Sequence, residues 1–121
     1  MEKKKTLVLG ASENPARYSN LAIKRLLNYG HPVEAIGRRK GMVTGVLIEN
    51  EQKPFNHIDT VTVYLNPANQ KAYYDYILSL HPKRIIFNPG AENEELAEIA
   101  IENGIKPVEA CTLVMLNTGQ Y

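Results

Sequence analysis

Hydrophobic and polar positions along the chain follow two periods, one typical of strands and one typical of helices. The run Thr6–Gly10 is short, mostly apolar and closed by glycine, which predicts a buried strand. Apolar residues then recur at helical spacing over Tyr18–Tyr29, and Gly30 follows as a C-terminal stop. The chain therefore opens with a strand, a turn and a helix.

Further along, segments rich in β-branched residues alternate with helix signals. Asn66 and Pro67 form a helix start, with a side-chain cap followed by proline at the first helical position. A third helix is expected to begin near Asn93 and to end at Gly104, and the apolar tail Thr112–Leu116 predicts a short closing helix. The segments predicted as β-structure are Val33–Ile36, Met42–Ile48, Thr60–Leu65, Arg84–Phe87 and Lys106–Ala110.

The resulting order, β-α-β-β-β-α-β-α-β with a helical tail, is typical of α/β proteins. Right-handed crossovers between parallel strands place helices on both faces of such a sheet. We therefore predict a three-layer, doubly wound Rossmann-like fold with a mainly parallel sheet. The chain has 121 residues, so a single domain over residues 1–121 is expected.

The amino-acid composition excludes several classes of partner and location, but it says little about the chemistry of the protein. The formal net charge is +1 and the basic runs are short, so neither nucleic acid nor a membrane surface is expected as a partner. No segment approaches the roughly 20 apolar residues that span a bilayer, and the run before Gly10 is too short for a secretory signal. The single cysteine, Cys111, excludes an internal disulfide and fits a reducing compartment, so a cytoplasmic protein is expected.

The turn between the first strand and the first helix carries the main functional signal. Backbone N–H groups of such a turn and of the following helix N-terminus favour a bound phosphate. Gly10 allows close approach of a ligand, Ser12 adds a hydroxyl donor, and Arg17 adds a fork of donors. Ser19 stands at the helix start, where it could cap the helix or touch the ligand. The turn departs from the dinucleotide fingerprint, because Ser12 and Pro15 replace its second and third glycines.

A basic segment stands where NAD-binding folds place an acidic residue. Arg38, Arg39 and Lys40 follow Gly37 at the end of the second predicted strand. The acidic residue of NAD-binding folds binds the ribose hydroxyls. Cations at this corner instead favour an extra ribose phosphate, either the 3′-phosphate of coenzyme A or the 2′-phosphate of NADP. A solvated basic loop is the alternative.

Two loops follow the carboxyl ends of later predicted strands. One is formed by Leu65, Asn66 and Pro67, and the other by Asn88, Pro89 and Gly90. Ligands of open α/β sheets lie beyond these strand ends. Both loops could close over a bound nucleotide, and ordinary capping and turn chemistry explains them equally well.

The remaining reactive side chains indicate structural roles. Cys111 follows the last predicted strand at the same edge, where a packing cysteine is favoured over a reactive thiol. The three histidines, His31, His57 and His81, lack metal-ligand spacing. Since no acid–base pair is recognisable either, we expect neither a metal site nor catalytic residues.

Four stretches together resemble the small stand-alone CoA-binding proteins. These are G-A-S-E-N-P-A-R-Y-S, T-V-T-V-Y-L-N-P, I-I-F-N-P-G-A-E-N-E-E-L and V-E-A-C-T-L-V-M-L. Such proteins share the fold of the CoA-binding domain of succinyl-CoA synthetase α-subunits and acyl-CoA synthetases. The resemblance covers nearly the whole chain. It implies a phosphate-binding turn and a cysteine before the tail, at Gly10, Ala11, Ser12, Asn14, Arg17, Ser19 and Cys111.

Two loops depart from this family's pattern. The family's P-V-N-P loop is replaced by A-I-G-R-R at residues 35–39, and its Q-x-G segment by N-P-G at residues 88–90. In the synthetases, the phosphorylated histidine and the ligase machinery lie in other domains. The resemblance therefore implies binding without the ligase reaction. Together with the turn and the basic segment, it makes binding of coenzyme A or an acyl-CoA without catalysis the leading prediction, with the pantetheine arm running over residues 88–90 toward Cys111.

Two alternatives from other classes stay open. The first is an NADP-binding reductase or redox sensor, which the basic residues Arg38, Arg39 and Lys40 permit. The absence of two glycines of the dinucleotide fingerprint argues against it. A scaffold without a ligand is the other alternative. Its apolar tail, residues 113–116, could form a homodimer contact or finish the core.

Overall fold

The structure is a computed structural model that describes residues 2–121, and these residues form a seven-stranded sheet. The order of strands is β3-β4-β2-β1-β5-β6-β7, and neighbours are parallel except for β3 and β4. The predicted Rossmann-like α/β fold with a mainly parallel sheet is confirmed. The strands are β1 (Thr6–Ala11), β2 (Val33–Gly37), β3 (Gly41–Val43), β4 (Val46–Glu49), β5 (Thr60–Val63), β6 (Arg84–Phe87) and β7 (Lys106–Glu109).

Helices cover both faces of the sheet. They are α1 (Tyr18–Asn28), α2 (Pro67–Gln70), α3 (Tyr74–Leu80), α4 (Glu94–Glu102) and α5 (Thr112–Asn117). Side chains alternate across each strand, so Leu7 and Leu9 pack on the side of α3 and α4, while Val8 packs on the side of α1 and α5. Both apolar clusters are fully formed, which gives the three predicted layers.

Two helix starts lie where the capping residues predicted them. Asn66 Oδ1 accepts from Asn69 N at 3.0 Å, and Asn93 Oδ1 accepts from Leu96 N at 3.1 Å. The helix after Asn66 is nevertheless interrupted by a 3₁₀ turn over Lys71–Tyr73. Gln70, the residue just before this turn, is buried, and its side chain donates to the carbonyls of Leu65 and Ala91 at 2.8 Å. The first turn is thereby fixed to the adjoining loops.

The segment predicted as one β-rich stretch, Met42–Ile48, is a hairpin. Thr44 and Gly45 both have positive φ, 49° and 84°, so β3 and β4 are joined by a two-residue turn of the type that suits the twist of paired strands. Met42 and Leu47 face each other across it and are 52% and 60% exposed. The hairpin extends the sheet beyond β2 with one antiparallel edge strand.

A buried aromatic cluster packs at the N-terminal ends of the strands. Tyr121 is 3% exposed, and its hydroxyl lies 2.5 Å from Thr6 Oγ1. The Arg84 guanidinium lies 4.4 Å from the centre of the Tyr121 ring, and the His31 ring lies 4.9 Å from it. This cluster ties the end of the described chain to the first residues of β1 and β6.

Buried His31 is expected to make the stability of the protein depend on pH. It is 1% exposed, its Nδ1 accepts from Lys4 N at 2.9 Å, and burial together with Lys3, Lys4 and Arg84 lowers its pKa below the ordinary 6.5. Below pH 6.5 the histidine of the unfolded chain binds a proton more readily than folded His31 does. The free energy of unfolding should therefore decrease as the pH is lowered, and should level off below the pKa of folded His31. Urea unfolding of wild type and His31→Asn between about pH 8 and pH 5 measures the effect.

The difference between those two proteins isolates His31 from the other titrating groups. Asparagine offers an oxygen to Lys4 N but does not titrate, so its unfolding free energy should depend less on pH below 6.5. Equal pH dependence in both proteins would contradict this assignment.

Candidate functional site

A cleft of about 750 Å³ lies at the carboxyl ends of β1, β2 and β5. Its walls are the turn between β1 and α1, the start of α1, the basic segment Arg38–Lys40 and the loop after β5. The chain adds β2 and β4 on one side of β1, then returns to add β5, β6 and β7 on the other. Ligands of doubly wound sheets bind where this reversal occurs.

The β1–α1 turn (residues 10–17) packs tightly against the end of β5. Gly10 has a φ of +97°, in the region that favours glycine, and the pairing of β1 with β2 shifts between Leu9 and Ala11. A Cβ at Gly10 would lie 3.1 Å from the Tyr64 carbonyl carbon. A side chain here would displace one wall of the cleft.

Hydrogen bonds within the turn hold it in one conformation. Ser12 Oγ accepts from Asn14 N at 3.0 Å, Asn14 Oδ1 accepts from Ala16 N at 2.9 Å, and the Ser12 carbonyl accepts from the buried Asn20 side chain at 3.0 Å. In these bonds the side-chain oxygens of Ser12 and Asn14 act only as acceptors. The Ser12 hydroxyl and the Asn14 amide group therefore keep N–H or O–H groups that can donate into the cleft.

The N-terminus of α1 adds positive charge to the same place. Arg17 is the N-cap residue, its side chain makes no capping bond, and the first turn of this 11-residue helix has no acidic residue. Tyr18 and Ser19 follow at the start of the helix, where amides have no partner one turn earlier. The positive end of the helix dipole at the cleft therefore has no acidic partner in its own first turn.

The basic segment (Arg38, Arg39 and Lys40) faces the turn from the end of β2. All three residues are exposed and line the cleft. The ion pairs found among residues 2–121 are Lys5–Glu34, Lys53–Glu51 and Lys83–Asp59, so none involves this segment. With Arg17, four cations surround the cleft, and Glu13 is the only acidic residue in the described lining.

Most of the sequence-predicted site residues meet at this cleft. Those that line it are Gly10, Ala11, Ser12, Asn14, Arg17, Ser19, Arg38, Arg39, Asn66 and Pro89. The other four predicted residues, Gly37, Pro67, Asn88 and Gly90, lie outside the lining. Gly37 sits beneath the turn, where a Cβ would overlap the Ala11 carbonyl oxygen. Pro67 is the first residue of α2, and Gly90 N donates to the Glu92 carboxylate at 2.9 Å.

Asn88 holds three elements together instead of facing the cleft. Its Nδ2 donates to Thr62 Oγ1 at 2.7 Å and to the Val63 carbonyl at 2.9 Å, and its Oδ1 accepts from Thr112 N at 2.9 Å. The side chain is 2% exposed and thus bridges β5, β6 and α5. A buried polar side chain with this many partners stabilises the fold.

Sequence reasoning did not single out four residues of the lining: Glu13, Tyr18, Tyr64 and Asn69. Tyr64 was predicted to lie inside a strand and Leu65 at its end, but β5 ends at Val63, so both stand at the cleft. Burial raises the pKa of Tyr64 above its ordinary value. Only a correct prediction of the last residue of β5 could have placed Tyr64 at the cleft.

Cys111 lies at the N-cap of α5, half-buried, and is not part of the cleft lining. Within residues 2–121, no three His, Cys, Asp or Glu side chains come together as a group that could hold a metal ion. No helix in the same described range has the length and apolar character that a membrane span requires.

Comparisons with solved structures support the fold. A crystal structure of an uncharacterized protein is 55% identical over 100% of both chains, with a TM-score of 0.98. A hypothetical protein from Pyrococcus horikoshii OT3 is 24% identical over 96% of this chain and 83% of its own, with a TM-score of 0.86.

A third similar structure is a dinucleotide-forming acetyl-coenzyme A synthetase from Ca. Korarchaeum cryptofilum. It is 19% identical over 88% of this chain and 25% of its own, with a TM-score of 0.73. At this identity, as for the Pyrococcus protein, the likeness concerns the fold alone. No curated protein matches the sequence. A family model described as a CoA binding domain matches residues 4–117, and the chain therefore belongs to the CoA binding domain family.

Proposed function

We propose that this protein binds coenzyme A or an acyl-CoA in the cleft at the ends of β1 and β5, without catalysis of its own. The observation that carries the proposal is the convergence of three features in a member of this family. These are four cations without an ion-pair partner among residues 2–121, an N-terminus of α1 without a side-chain cap, and a hydrogen-bonded turn. Each of these groups favours an anion. Coenzyme A carries phosphates at two separated positions, which suits two separated groups of donors.

The pyrophosphate is proposed to lie on the β1–α1 turn. The Ser12 hydroxyl, the turn amides and the first amides of α1 supply neutral donors there, and Arg17 supplies charge. Gly10 lets the phosphate approach the backbone closely. The proposal therefore assigns Gly10, Ala11, Ser12, Asn14, Arg17 and Ser19 to this end of the ligand.

The 3′-phosphate of the ribose is proposed to meet the basic segment. Arg38, Arg39 and Lys40 have no ion-pair partner among residues 2–121, so a phosphate would gain charge-assisted hydrogen bonds without breaking existing ones. Arginine binds phosphate through two parallel bonds, which favours a fixed orientation.

The pantetheine arm is proposed to pass over the less polar wall of the cleft, formed by Leu65 and Pro89. Asn66 stands beside them at the start of α2. No histidine or cysteine occurs in the described lining of the cleft, and these are the side chains most often used for acid–base and thiol chemistry at neutral pH. Binding without chemistry is thus the simplest function for this set of residues.

NADP is the second candidate, because a 2′-phosphate would suit the basic segment equally well. The turn argues against it, since Ser12 and Pro15 stand where dinucleotide-binding folds have glycine. Isothermal titration calorimetry with coenzyme A, dephospho-coenzyme A and NADPH separates the candidates. We expect coenzyme A to bind best, with dephospho-coenzyme A weaker by about tenfold or more for the lost charged hydrogen bonds.

The matched control for this titration is the double variant Arg38→Gln/Arg39→Gln. It keeps the length and polarity of both side chains but removes their charge, so its affinity for coenzyme A should drop toward that for dephospho-coenzyme A. An absence of heat with coenzyme A, or tighter binding of NADPH, would overturn the proposal.

A further inference from the structure

Glu13 places a carboxylate in a cleft that is otherwise basic. It stands between Ser12 and Asn14 in the β1–α1 turn and lines the cleft. One carboxylate oxygen, Oε2, accepts from Met42 N at 2.9 Å, so the turn is joined to the first residues of β3. The basic segment ends one residue before β3 begins.

Gly41 makes room for this contact. A Cβ at Gly41 would lie 2.6 Å from Cγ of Glu13 and 2.7 Å from its Oε1. The glycines with positive φ do not include Gly41, so its backbone conformation does not call for glycine. The missing side chain therefore serves the close packing of Glu13 against β3.

Both ends of the basic segment are thus held by the same turn. At its start, Gly37 packs against the Ala11 carbonyl oxygen. At its end, Gly41 and Met42 pack against and hydrogen-bond to Glu13. Three exposed cations between two fixed ends have less freedom to swing away into solvent than they would in an open loop.

We propose that Glu13 is a positioning residue, which acts through Met42 N–H to hold Arg38–Lys40 over the cleft and so sets the preference for a nucleotide with a ribose phosphate. This inference rests on the proposed function. The negative charge of Glu13 opposes phosphate binding in general, but its hydrogen bond fixes the cations that recognise the additional phosphate.

Three variants separate the position of the carboxylate from its charge. Glu13→Gln keeps an oxygen acceptor for Met42 N and loses the charge. Gly41→Ala keeps the charge and pushes the flexible end of Glu13 away from β3. Glu13→Ala loses both. Thermal unfolding midpoints within a few degrees of wild type would show that all three fold, as expected for substitutions at exposed or partly exposed sites.

The first readout is the ratio of affinities for coenzyme A and dephospho-coenzyme A, measured by calorimetry. Glu13→Ala and Gly41→Ala should lose most of the wild-type preference of about tenfold, while Glu13→Gln should keep it to within about twofold. A merely structural role would lower both affinities equally and leave this ratio unchanged. An unchanged ratio in Glu13→Ala and Gly41→Ala would overturn the proposal.

The second readout needs no ligand. Trypsin cleaves after Arg38, Arg39 and Lys40 only when the segment leaves the surface, so cleavage there reports its mobility. Mass spectrometry of the fragments should find faster cleavage at these sites in Glu13→Ala and Gly41→Ala, but not in Glu13→Gln. Equal rates in all four proteins would overturn the proposal. If wild type bound no coenzyme A, the proposed function would fail by itself, and the cleavage rates alone would decide whether Glu13 holds the segment.

Discussion

Replacing Ser12 with aspartate is expected to weaken coenzyme A binding by about a hundredfold or more, since placing like charges together costs several kcal/mol. Ser12 lies in the turn that is proposed to hold the pyrophosphate, and its Oγ already accepts from Asn14 N at 3.0 Å. An aspartate oxygen can take over that acceptor role, so the turn should keep its shape while gaining a negative charge. Calorimetric titration of the variant with coenzyme A measures the loss.

Ser12→Asn is the matched control. Asparagine has nearly the shape of aspartate, accepts the same bond from Asn14 N and carries no charge. It should bind coenzyme A within about tenfold of wild type, the range of one altered neutral hydrogen bond. If Ser12→Asp bound as tightly as Ser12→Asn, the pyrophosphate would have to lie elsewhere.

Replacing Gly37 with alanine is expected to lower the free energy of unfolding by about 3 kcal/mol, near the upper end of the cost of overpacking. The added Cβ would overlap the Ala11 carbonyl oxygen and lie 3.0 Å from Ile48 Cγ2. The oxygen belongs to the backbone of β1 in the middle of the sheet, so it cannot rotate away as a side chain would. Urea unfolding monitored by circular dichroism measures the change.

Gly104→Ala is the comparison that identifies the cause. Gly104 has a φ of +74°, but a Cβ there meets nothing within 4 Å. Its replacement should therefore cost only about 1 kcal/mol of conformational strain. If the two variants were equally stable, the contact between Gly37 and Ala11 would not be a tight one.

Local patterns account for the elements that the sequence alone could predict. The strand β1, the helix α1 and the caps at Asn66 and Asn93 depend on residues close to each other in the chain. Their alternation is enough to indicate a mainly parallel sheet, because parallel strands need crossovers. Since the carboxyl ends of such strands meet at one edge, the turn after β1 and the segment after β2 could be assigned to one cleft.

Sequence patterns gave wrong strand boundaries where residues far apart in the chain set those boundaries. The stretch Met42–Ile48 is rich in strand-forming residues apart from Gly45, but it folds back at Thr44 and Gly45, and its second half pairs with β2. The predicted strand Thr60–Leu65 ends at Val63, and its last two residues turn toward the cleft. Composition cannot locate such ends, because the paired strand sets them.

Signals along the chain were enough to predict the alternation of strands and helices, the Rossmann-like class, and the chemical character of the turn and the basic segment. The contacts of Asn88 with Thr62 and of Glu13 with Met42 became visible only in the folded chain, because they span 26 and 29 positions along the sequence. The physical reason is that spacing and capping act within a few residues, whereas a hydrogen bond between loops exists only after the sheet has brought them together.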